Sequence, residues 1–229
     1  MQEHDRISVI VPVFNGERYL AEALNSILGQ TRPPEEVIVV DDGSTDLTAE
    51  VAGRFPVRYL SQANQGAAAA RNTGAQAATG DLLAFLDHDD LWVADKLARQ
   101  LAVLAAQPEL DMVFGHVEQF FCPSLPPAEQ ARYRLPPPMP GYTSSARLIR
   151  RTAFEKVGPY AIVNRLGEDL EWHARAVDAG LRFRMLEEVV YRRRIHASNM
   201  GITRGGDRSD YAHMLKQILD RRRQEQKAR

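Results

Sequence analysis

ISVIVPVFNGERYLAEALNSILGQ, residues 7–30, joins an unbroken apolar run to a segment whose Leu20, Ala23, Leu24, Ile27 and Leu28 share one helical face. That is a strand followed by a helix. The unit recurs: EEVIVV (35–40) runs into DDGSTD and a short helical pattern, VRYL (57–60) precedes an alanine-rich segment ending at Gly80, and DLLAFL (81–86) follows. Val, Ile and Leu runs without alternation are what strands buried on both faces need, so the spacing predicts a mostly parallel sheet flanked by helices, an α/β fold. A helix over DKLARQLAVLAAQ (95–107) and a strand at MVFGHVEQF (112–120) complete the regular half.

Beyond it the pattern loosens. CPSLPPAEQARYRLPPPMPGY (122–142) is too rich in proline for continuous helix or central strand and reads as a long connection, either a mobile flap or a static surface loop. A helix is expected over ARLIRRTAFEKVG (146–158), a second from about Asp169 to Ala179, an edge-like strand over RMLEEVVYRRRI (184–195) and a polar helix from about Asp207, ending in the basic tail RRRQEQKAR. We read 1–229 as one domain: a nucleotide-binding half (1–115), an acceptor and catalytic half (116–205), and a C-terminal helix and tail (206–229).

Composition bounds the partners. Twenty-nine basic and thirty acidic residues give a formal charge of -1, which argues against nucleic acid or an anionic membrane as the main partner. One cysteine, Cys122, excludes an internal disulfide framework and fits a reducing cytoplasm. The N-terminal residues lack a signal-peptide apolar core, and no apolar run approaches the ~20 residues of a membrane span. The expectation is a soluble cytoplasmic protein, not an integral membrane one, with peripheral attachment left open.

In open α/β sheets ligands bind beyond the carboxyl ends of the strands. Three polar stretches follow strands there: PVFNGE, DDGSTD and the DHDD of FLDHDDLW (85–92). The first two read equally well as turns and helix starts. Asp87, Asp89 and Asp90 are harder to dismiss, because three adjacent carboxylates repel unless something positive compensates. A hard divalent cation, Mg²⁺ or Mn²⁺, bound with a diphosphate is the expected partner. His88 is not required as a ligand, and Arg71, in an alanine-rich helix, decides nothing by itself.

The joint order of PVFNGERYLAEALNSILGQ, VIVVDDGSTD, NQGAAAARNTG, GDLLAFLDHDDLW, GEDLEWHAR and YRRRIHASN resembles the family 2 glycosyltransferases of GT-A fold, over roughly residues 7–200. The resemblance implies a nucleoside diphosphate sugar donor, with Pro12, Phe14, Asp42 and Arg71 around the nucleotide and Asp87 near the ribose or the metal's waters. It implies Asp89 as metal ligand in a D-x-D pair, Asp90 behind it, Trp92 in packing, and His196 at the metal or phosphate with Arg192 or Arg194 neutralising phosphate. In GEDLEWHAR it implies Asp169 as the base of an inverting transfer to a hydroxyl acceptor, with Glu168 in reserve. Read without the resemblance, Asp169 is more simply a helix N-cap, and the RRR run is equally an edge strand guarded by charge. The chain departs from processive synthases in lacking Q-x-x-R-W, so a single transfer per encounter is expected. A catalytically silent sugar-nucleotide-binding subunit and a nucleotidyltransferase are the alternatives.

Overall fold

The computed structural model describes residues 6–162, 167–197, 199 and 216. In chain order the elements are β1 (Ile7–Val13), α1 (Leu20–Leu28), β2 (Glu36–Asp41), α2 (Thr48–Ala52), β3 (Arg58–Ser61), α3 (Ala67–Ala77), β4 (Leu82–Phe85) and β5 (Leu91–Trp92). There follow α4 (Lys96–Ala106), β6 (Met112–Phe121), α5 (Pro127–Gln130), β7 (Met139–Pro140), a 3₁₀ turn (Ser144–Ala146), β8 (Leu148–Arg150), α6 (Arg151–Val157), α7 (Glu168–Asp178) and β9 (Phe183–Ile195).

Among the described residues the strands make one sheet in the order β3-β2-β1-β4-β8-β6-β9-β5, with β7 beside β6. The leading four are parallel, with Val9 opposite both Val37 and Ala84, as crossover helices require. Every residue of β1 is buried, which is why its sequence shows no alternation. Burying each such Val, Ile or Leu is worth about 1.5–3 kcal/mol, so β1 and its neighbours anchor the core.

Helix α3 lies close on β1 because Gly74 has no side chain: a Cβ there would stand 2.3 Å from Ile10 Cγ2. Arg71, three residues earlier on the same helical face, is thereby brought down onto the sheet. The loops after β1 and β2 are laced together, Asn15 N donating to Ser44 Oγ and Thr45 N to Asn15 Oδ1, each at 2.9 Å. Asn15 adopts a left-handed φ of 51°, which asparagine tolerates better than most residues.

One expectation changes and two are refined. Residues 148–150 of the expected helix are instead strand β8, because Leu148 and Ile149 are buried between β4 and β6 and pair antiparallel with both. The RMLEEVVYRRRI segment is edge-like over only part of its length: β9 runs parallel to β6 on one side, and on the other Arg192 and Tyr191 pair with Leu91 and Trp92. The proline-rich 122–142 segment is a long connection that carries the short α5 and β7, and its Cys122 and Leu125 are buried with Tyr19 and Ile195. The helix expected from Asp207 and the basic tail lie outside the described residues. No helix among those residues is long and apolar enough to cross a membrane.

Candidate active site

The carboxyl ends of β1, β2 and β4 deliver the three polar stretches to one edge. Pro12 lies within β1 opposite Val40, and Phe14, just past its end, is 46% exposed. Asp42, buried at the end of β2, accepts from Gln62 Nε2 (2.8 Å), Gln65 N (3.0 Å) and Gly66 N (2.7 Å). Its carboxylate therefore fixes the loop that leads into α3.

The carboxylates of Asp87, Asp89 and Asp90 also find partners within the protein. Asp87 accepts from Arg71 Nη2 at 2.7 Å. Asp89 Oδ2 stands 3.0 Å from His196 Nε2 and 3.4 Å from Asn199 Nδ2. Burial pushes Asp89 up, but the hydrogen bond from His196 and the neighbouring imidazoles of His88 and His196 outweigh it and hold the carboxyl below its usual range. Asp90 is the reverse case: burial, then the charges of Asp89 and Asp87, push it well above the usual carboxylate range and favour its neutral form. It accepts from Arg194 N at 2.9 Å.

Arg194 is itself buried, donating to Asp89 O (2.9 Å) and to Glu22 (2.8 Å) between the rings of Tyr19 and Phe120. It braces the acidic loop from behind. Arg192 pairs with Glu118 at the surface. Trp92 packs as expected, 4% exposed, with its indole N–H on Ser145 O.

Arg71 is 3% exposed and carries a second ion pair, Nη1 to Glu168 at 2.9 Å. Burial alone would lower its pKa; Asp87, Asp169 and Glu168 reverse that and keep it firmly charged. Glu168 is raised by burial against the pull of Arg71. One guanidinium thus joins the acidic loop after β4 to the first turn of α7.

Asp169 does not cap α7. The helix begins one residue earlier, behind Gly167 at φ 87° with no side-chain cap bond, and Asp169 Oδ2 accepts instead from Ser144 Oγ at 3.1 Å. Its Oδ1 is buried without a hydrogen-bond partner. Sequence reading missed Ser144, and also Arg147, a 1%-exposed guanidinium enclosed by the rings of Phe85, Tyr160 and Trp172. Only the apolar neighbourhood of Arg147 hinted at burial.

Asp89 and His196 offer a carboxylate oxygen and an imidazole nitrogen to one point, a donor pair that fits a divalent cation completing its shell with phosphate oxygens and water. No cluster of three or more His, Cys, Asp or Glu that could hold a metal occurs among the described residues.

Comparison with known proteins identifies the class of this chain. Residues 8–165 match the family described as Glycosyl transferase family 2, and the chain belongs to that family. Among curated relatives it is 44% identical over 123 residues to an uncharacterized glycosyltransferase of Nostoc, covering 48% of this chain and 38% of that protein. It is 33% identical over 201 residues to the glycosyltransferase AglE of Haloferax volcanii, covering 80% and 65%. The chain thus spans well under half of some relatives it matches. Of solved structures, the mannosyltransferase PcManGT of Pyrobaculum calidifontis, in complex with GDP-Man and Mn²⁺, superposes with TM-score 0.72 at 21% identity over 96% of this chain and 65% of that one. TarS of S. aureus, residues 1–349 in complex with UDP-GlcNAc, gives 0.67 at 21% over 85% and 60%. These likenesses establish the GT-A fold.

Proposed function

We propose that the chain is an inverting glycosyltransferase that moves a sugar from a nucleoside diphosphate sugar to an acceptor hydroxyl. The observation that carries this reading is Asp169: one carboxylate oxygen is fixed by Ser144 and the other has no protein partner. In a single displacement the acceptor hydroxyl must lose its proton as it attacks the anomeric carbon, and a positioned carboxylate is the group for that step.

Asp169 would be that base. Glu168, committed to Arg71, would hold the helix start in place. Phe14, at the rim of the β1–β2 edge, would line the nucleobase, while Asp42 keeps the 62–66 loop shaped around it and Arg71 orients Asp87 toward the ribose. Asp89 and His196 would hold Mn²⁺ or Mg²⁺, which when bound neutralises charge building on the departing diphosphate. The donor complexes of PcManGT and TarS on the same fold support a sugar-nucleotide ligand.

The test is a panel of UDP- and GDP-sugars with Mn²⁺ or Mg²⁺, scored for thermal stabilisation and for nucleoside diphosphate release. Metal-dependent stabilisation by one donor, with slow release to water, is expected. Stabilisation without release over a broad set of hydroxyl acceptors would instead support a silent binding subunit, and pyrophosphate release from a nucleoside triphosphate with a sugar phosphate would support a nucleotidyltransferase.

A further inference from the structure

Four rings cluster beside Asp169. Phe114 is fully buried, and Tyr142, His173 and Phe183 surround it with centroids 5.6, 5.4 and 5.8 Å away. Tyr142 and His173 also meet each other at 5.1 Å, tilted by 38°. Phe114 thus supports its neighbours from below, while Tyr142 stays 37% exposed. An exposed aromatic held by three others is rigid, and ordering a ligand against it costs little side-chain entropy.

The cluster is tied to the base on both sides. Tyr142 lies two residues before Ser144, whose hydroxyl donates to Asp169. His173 lies four residues after Asp169 on α7, about 6 Å along the helix axis and on the same face. The His173 Nδ1 atom is buried and has no hydrogen-bond partner. Burial and Arg147, partly offset by Asp169, depress its pKa, so at neutral pH the ring is uncharged.

We propose that Tyr142 and His173 form the floor of an acceptor subsite, and that the unit seated on it is a pyranose ring presenting one hydroxyl to Asp169. The inference rests on the reading of Asp169 as the base and names the acceptor class for it. A pyranose has an apolar C–H face and a rim of hydroxyls. The subsite has a matching division, with aromatic rings beside the Asp169 carboxylate, whose Oδ1 has no protein partner while the buried Ser144 holds Oδ2 from behind. A purely apolar chain would leave Asp169 Oδ1 without a hydrogen-bond donor, which costs affinity.

Ligand-observed saturation-transfer NMR tests this. The chain is mixed with UDP, GDP and Mg²⁺, so that ordered binding does not hide the acceptor. The probes are methyl pyranosides of gluco, galacto, manno and N-acetylgluco configuration, with octanol and a serine peptide as comparators. Wild-type protein is expected to bind at least one pyranoside, Y142A to weaken that binding about tenfold, and Y142F to retain it, since the ring and not the hydroxyl supplies the floor. D169N should still bind. Absence of binding to every pyranoside, equal affinity in a folded Y142A, or preference for octanol or the peptide would overturn the proposal. Failure of the transferase reading would appear separately, as no diphosphate release from any donor.

Discussion

Arg71 and Glu168, ninety-seven residues apart in sequence, are joined at 2.9 Å in the interior, and the same guanidinium holds Asp87 at 2.7 Å. A buried cation shared by carboxylates from two elements sets their separation. It also commits one carboxylate oxygen of Glu168, the reserve candidate for the base, to Arg71.

Removing the shared cation should therefore damage stability before chemistry. R71M leaves Glu168 buried without its partner, and breaking such a pair costs about 3–5 kcal/mol, with the lower end expected because Asp87 is 37% exposed. E168Q should cost less, and the R71M/E168Q double variant should recover part of the loss, as coupled neighbours are not additive. Urea denaturation of the four proteins checks this; strictly additive losses would mean that the ion pair does not couple the two elements.

Asp89 and Asp90 are adjacent yet should answer differently to the same change. D89N removes the carboxylate beside His196 and should weaken metal-dependent donor binding on the order of a hundredfold while the fold persists. D90N substitutes an amide for a carboxyl already pushed toward neutrality, and its oxygen can still accept from Arg194 N, so binding should be nearly unchanged. Thermal shift with Mn²⁺ and nucleoside diphosphate separates them, and equal losses in both would remove Asp89 from the metal.

Much of this architecture was legible in the chain. The apolar runs at β1, β2 and β4 and the helical faces of α1 and α4 are local signals, and local periodicity finds them. Strand β8 was not legible because three residues between a 3₁₀ turn and a helix carry no period, and its partners lie far away in sequence. The site divides the same way. Motif order singled out Asp87, Asp89 and Asp169, whereas the pairing of Asp87 with Arg71 and of Asp89 with His196 is created only by the folded chain. Ser144 gave no sign at all, since a serine near a proline-rich segment is ordinary until it meets Asp169.

Lys96 gives a prediction outside the site. It is fully buried, donating to Gln100 Oε1 (2.7 Å) and Arg147 O (3.3 Å) and lying 4.3 Å above the Trp92 ring, and burial together with Arg147 depresses its pKa well below 10.5. Between that depressed value and 10.5 the unfolded chain holds a proton that the native chain has released. Stability should rise with pH across this window, be fully present above it, and be lost as pH falls through it. K96M should flatten that rise. Urea melts of both proteins at neutral and mildly alkaline pH measure it, and parallel pH dependence would show that Lys96 stays charged in the core.

The strongest test of mechanism is Asp169→Asn. Ser144 can still donate to the amide oxygen, so the side chain should keep its place and the first turn of α7 its shape. What is lost is proton affinity at the oxygen that has no protein partner. In the proposed arrangement donor and metal would be held by Asp87, Asp89 and His196, whose pairings with Arg71 and with one another do not involve Asp169, so their binding should be almost unchanged. Transfer should fall on the order of a hundredfold or more, since general-base catalysis is worth about 10²–10⁴. S144A supplies the complementary measurement: it frees the second carboxylate oxygen without removing the base, and should lower transfer less than D169N does. Single-turnover rates with saturating donor, for both variants and E168Q, decide the assignment. Near-normal transfer by D169N with transfer abolished in E168Q would move the base to Glu168, and near-normal transfer in both would take the base out of α7 altogether.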